Sequence, residues 1–79
     1  MAKITARGAH EVARWSLELD GREFGTALLR SDGVILRKST IPGDRWTTWL
    51  RLKASVTKPI SRQRAEAALM ARGYTLGRR

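Results

Sequence analysis

Residues 11–40 read EVARWSLELDGREFGTALLRSDGVILRKST, three apolar runs separated by Asp20-Gly21 and Asp32-Gly33. Asp and Gly tolerate the positive φ of a tight turn, so each pair reads as a hairpin turn. In the first run Ala13, Trp15, Leu17 and Leu19 alternate with Val12, Arg14, Ser16 and Glu18. That period of two marks a half-buried strand, with Trp15 in the core beside Leu17. A two-residue turn pairs Leu19 with Arg22 and Leu17 with Phe24, but it also opposes Glu18 and Glu23. The like-charge pair argues for a longer loop. Phe24–Arg30 reads as the second strand and Val34–Thr40 as the third. Adjacent Leu28 and Leu29 leave the register open: one points outward, or a bulge intervenes.

Beyond these strands, Ile41-Pro42-Gly43-Asp44 carries turn chemistry and breaks the sheet. Arg45–Ser55 alternates again and predicts a fourth strand. Trp46, Thr48, Leu50, Leu52 and Ala54 share one face, which makes Trp46 a core residue. Arg45, Thr47, Trp49, Arg51 and Lys53 share the other. Val56–Ile60 is a connector, and Ser61 is an N-cap for a helix over RQRAEAALMAR, rich in good helix formers. Ala65, Ala68, Leu69 and Arg72 line its narrow stripe. Gly73 fits the left-handed position after the helix, with Tyr74 folding back on Leu69. Tyr74–Leu76 has the composition of a short last strand.

The expected fold class is α+β: an antiparallel four-stranded up-and-down sheet followed by one C-terminal helix that covers a face of the sheet. One small domain spans residues 1–79, with an arm over 1–9, the sheet over 10–55, the helix over 61–73 and a loose basic tail over 77–79. A chain this short buries only about 60% of the surface its unfolded form exposes, which leaves little room for a large catalytic cleft.

The chain carries 16 Lys and Arg against 7 Asp and Glu, a net charge of +9. Residues 1–44 are nearly balanced. Residues 45–79 hold Arg45, Arg51, Lys53, Lys58, Arg62, Arg64, Arg72, Arg78 and Arg79 against Glu66 alone. A neutral half joined to a strongly basic half is the electrostatic footprint of a polyanion binder. A solvated surface that keeps the protein soluble is the plainer reading. Cysteine is absent, which excludes disulfides, thiolate metal sites and a Cys nucleophile. No apolar run reaches 18 residues, and the N-terminus MAKITARGAHEVARW has no signal-type apolar stretch. These features lead to the expectation of a cytoplasmic protein without a membrane partner.

No catalytic set emerges. His10 is the single histidine and has no second ligand at metal spacing. The carboxylates are scattered, and Gly21, Gly25 and Gly33 serve turns or strand irregularities rather than a phosphate loop. The expectation is no enzyme, no metal and no cofactor. Two constellations suit nucleic acid instead. On the fourth strand, Arg45, Arg51 and Lys53 would neutralise phosphates, Thr47 would donate to one, and Trp49 would stack on a base or wedge against the backbone. At the helix start, Lys58, Arg62 and Arg64 oppose the macrodipole and cost stability unless an anion compensates. Ordinary surface charge, with Glu66 pairing Arg62, is the bland alternative there.

A basic three-stranded antiparallel sheet followed by a helix is similar in outline to the arm-binding domains of phage-type integrases and to plant AP2 domains, which place a sheet face in the major groove. The resemblance is topological and transfers no contact residue. The opening AKITARG followed by EVARW resembles the start of small basic proteins of actinobacterial phages. It implies a phage origin and a second function class, a non-enzymatic protein that binds and modulates a host protein, with Trp49 and neighbouring Arg residues as anchors. The leading expectation is a nucleic-acid-binding protein. DNA is favoured over RNA because no aromatic ladder is present. An exposed edge strand can pair with its copy, which adds a homodimer to the expected partners.

Overall fold

The computed structural model describes residues 9–78. The arm expected over 1–9 therefore lies outside it apart from Ala9, as does Arg79 of the expected tail. The elements follow in the order β1 (Glu11–Leu19), β2 (Arg22–Arg30), β3 (Val34–Ser39), β4 (Thr47–Arg51), α1 (Arg62–Ala71) and β5 (Thr75–Arg78). They form an α+β fold whose single antiparallel sheet has the strand order β4-β3-β2-β1-β5. The four expected strands run up and down. The fifth adds to the free edge of β1, with Ser16 opposite Gly77 and Leu17 opposite Leu76. Gly77 and Arg78 thus belong to the sheet rather than to a loose tail.

Asp20 at φ 53° and Gly21 at φ 77° make the β1–β2 turn a two-residue one. Glu18 does stand opposite Glu23, against the expectation of a longer loop. The turn geometry outweighs one like-charge pair, in which Glu23 is exposed and Glu18 half-buried. A register shift follows at once: Leu17 pairs with Gly25, not Phe24, so Phe24 is the extra residue of a bulge. A side chain at Gly25 would run into the Lys38 carbonyl of β3, which explains glycine there. A second bulge at Val12 puts Glu11 and Arg14 on one side, where Arg14 Nη2 donates to Glu11 Oε1 at 2.8 Å.

Ala13, Trp15, Leu17, Ala27, Leu29 and Ile35 project from one face of the sheet and form the core with Ala65 and Leu69 of α1. Leu28 takes the outward position left open between Leu28 and Leu29, opposite Arg14 on one side and Leu36 on the other. Ser61 caps α1, its Oγ accepting the Arg64 N–H at 3.2 Å. After the helix, Gly73 at φ 96° takes the left-handed position and donates to the Met70 carbonyl at 2.9 Å. No helix among the described residues is long and apolar enough to cross a membrane.

The fourth strand departs most from expectation. It spans Thr47–Arg51, shorter than the predicted 45–55, and a register shift breaks its alternation. Leu36 pairs with Thr48 while Ile35 pairs with Leu50, which leaves Trp49 as the extra residue. Leu50 therefore returns to the core face with Ile35, and Trp49 packs against the core as well. Trp46 lies on the opposite face. The faces predicted for the two tryptophans are thus exchanged: the bulge rotates the strand by one residue, and a one-residue slip moves side chains to the other side.

Candidate nucleic-acid interface

The predicted strand set does not share one face. Thr47 stands opposite Arg37 on the helix side and donates its hydroxyl to the Arg37 carbonyl at 3.2 Å. Arg51 stands opposite Val34 on the side away from the helix. Lys53 lies beyond the strand in the connector, and Arg45 precedes the strand. All four are exposed, whereas Trp49 is half-buried. What unites Arg45, Arg51, Lys53 and Lys58 is an edge rather than a face: β4 is an outer strand, and the connector continues from it. No acidic residue occurs between Arg45 and Ala65.

Among the described residues the ion pairs are Arg14–Glu11 at 2.8 Å, Arg30–Asp32 at 2.6 Å and Arg62–Glu66 at 3.4 Å. Only Arg62 comes from the basic half, so Arg45, Arg51, Lys53 and Lys58 have no carboxylate partner among the described residues. The helix start behaves differently from the prediction. Arg64 Nη1 donates to the carbonyls of Lys58 at 2.8 Å and Pro59 at 3.2 Å, bracing the connector. Arg62 leans on Glu66, whose Oε2 also accepts the Trp15 indole N–H at 3.0 Å. Of the three cations proposed for an anion there, Lys58 alone has no side-chain partner among the described residues.

Two aromatic–cation clusters were not visible in the sequence. On the helix side, the Trp49 ring centroid lies 4.7 Å from the Arg37 guanidinium carbon and 6.0 Å from that of Arg72. Tyr74 meets the same indole edge-on at 5.6 Å. On the opposite face, Arg14 of β1 and Lys38 of β3 stand 5.4 Å and 5.7 Å from the Trp46 ring centroid. A ring within reach of β1 and β3 lies across β2, the strand between them, on the face where Leu28 is buried without a helix above it. Each cluster joins residues far apart in the chain, so spacing alone carried no signal of it.

Beside the Trp49 cluster, Leu17, Phe24, Arg37, Ser39, Asp44, Thr47 and Tyr74 line a cleft of about 280 Å³. Asp44 accepts the Ser39 N–H at 2.8 Å. Hydrogen bonds from Ser39, side chain first and then backbone, together with the Arg45 N–H, hold its carboxyl below the ordinary aspartate range. No group of three His, Cys, Asp or Glu able to hold a metal occurs among the described residues. No known protein family, no curated protein and no solved structure matches this chain.

Proposed function

We propose that this protein binds nucleic acid, double-stranded DNA foremost, through phosphate contacts along the β4 edge and the connector that follows it. The observation that carries this reading is the row Arg45, Arg51, Lys53 and Lys58, exposed and without an ion pair among the described residues, in a stretch free of carboxylates. Cations placed this way neutralise phosphates and release condensed counterions. Trp49 is not a stacking residue in this arrangement; it holds Arg37 and Arg72 against the fold. Specificity for sequence is not a property of such contacts, since phosphates position a protein without reporting the base.

The test is fluorescence anisotropy with a random-sequence duplex over a salt series. Four phosphate contacts give log K against log salt a slope of roughly −3.6. Affinity that stays constant from low to physiological salt overturns the reading and favours a protein partner instead.

A further inference from the structure

We infer that the cleft lined by Phe24, Tyr74 and Arg37 takes one unpaired nucleotide of the bound DNA. The inference rests on the nucleic-acid reading and adds a second contact mode to it. The bulge between β1 and β2 pushes Phe24 out of register, and its ring stays 49% exposed. A large aromatic side chain left half-exposed at the rim of a cleft presents a π-face to a planar partner. Tyr74 adds a second aromatic side chain to the lining, and Leu17 an apolar one. Leu17 and Ser39 reach the cleft from either side of Gly25, which stands between them in the sheet. The cleft, about 280 Å³, is smaller than a drug-sized site and suits a single planar heterocycle.

The polar groups around the cleft match the rest of a nucleotide. Arg37 carries no carboxylate partner among the described residues, and Trp49 fixes its guanidinium at 4.7 Å, in place for a phosphate. Asp44 offers a carboxylate that stays ionised at neutral pH and accepts from an exocyclic amine of a base. Arg45 follows Asp44 directly in the chain, so one cation of the proposed phosphate track adjoins a cleft residue. Stacking on aromatic side chains tolerates any base, because every base has a π-face.

Three probes of one duplex decide the matter: blunt-ended, carrying a three-nucleotide overhang, and carrying an abasic overhang of equal charge. The base-bearing overhang is expected to bind about tenfold tighter than the abasic one, the size of one stacked base. Phe24→Ser should abolish that difference and leave blunt-duplex affinity intact, with a thermal melt confirming the fold. Arg37→Gln should weaken the two overhang probes alike. Equal binding of base-bearing and abasic overhangs by the wild-type protein overturns the inference while leaving the duplex reading standing. Failure of all three probes to bind overturns both.

Discussion

The indole N–H of Trp15 donates to Glu66 Oε2 at 3.0 Å, a bond that ties the centre of β1 to the middle of α1 across fifty-one positions. Trp15 is only 2% exposed, and Glu66 is the acceptor that satisfies its N–H. Glu66→Ala should therefore cost about 1–3 kcal/mol. Glu66→Gln, which keeps an acceptor oxygen, should cost less than half as much. Thermal melts of both variants check this; equal losses would mean that the bond contributes nothing specific.

The bulge at Trp49 sets the second expectation. Trp49 packs on the core, Arg37 and Tyr74, so Trp49→Ala should lose about 2–4 kcal/mol, somewhat below the figure for a fully buried Trp. Trp46→Ala removes the ring that Arg14 and Lys38 approach on the helix-free face and should lose about 1 kcal/mol. The reverse order in denaturant midpoints would return β4 to uninterrupted alternation.

Charge and structure separate at the helix start. The triple change Arg51→Gln, Lys53→Gln and Lys58→Gln should lower duplex affinity at least about tenfold and flatten the salt slope by roughly 2.7, with the melting temperature unchanged. Arg64→Gln should do the opposite. It removes the braces to the Lys58 and Pro59 carbonyls, costing about 1 kcal/mol of stability and little affinity. Calorimetry and anisotropy on the same preparations distinguish the two effects.

Acid stability follows from Asp32. The Arg30 guanidinium first, then the Val34 N–H, hold its carboxyl below the ordinary aspartate range. A depressed folded value stabilises the protein above the unfolded pKa, near 3.9, and that contribution fades as pH falls through the folded value. Melting temperature should accordingly drop below about pH 4, and Asp32→Asn should flatten part of that drop. A variant whose melting profile parallels the wild type from pH 7 to 2 would remove Asp32 from the account.

Much of the fold was legible in residues 11–40 because turn chemistry and period-two patterning agree there. The α1 boundaries, its Ser61 cap and the Gly73 stop were equally legible, each being a local signal. What escaped were the three bulges, at Val12, Phe24 and Trp49, since a bulge is decided by the partner strand and not by its own residues. Those slips exchanged the roles of Trp46 and Trp49. They also hid the Phe24 cleft and the Trp49 and Trp46 cation clusters, whose members meet only through strand pairing. The basic edge was legible as composition, and its restriction to Arg45, Arg51, Lys53 and Lys58 required knowing where Arg62 and Arg64 point.

The pairing of β1 with β5 orders events in time. The β1–β2 and β2–β3 hairpins close across short turns, on the scale of about 1–10 μs each. Trp15 meets Arg78 only after a loop of about sixty residues closes, which is the costliest ring in the molecule. During synthesis the β1 edge is consequently an unpaired template of backbone N–H and C=O groups until residue 78 has left the ribosome. A nascent chain in that state is open to pairing with another copy, and the last strand then replaces a nine-residue open edge with one of four residues.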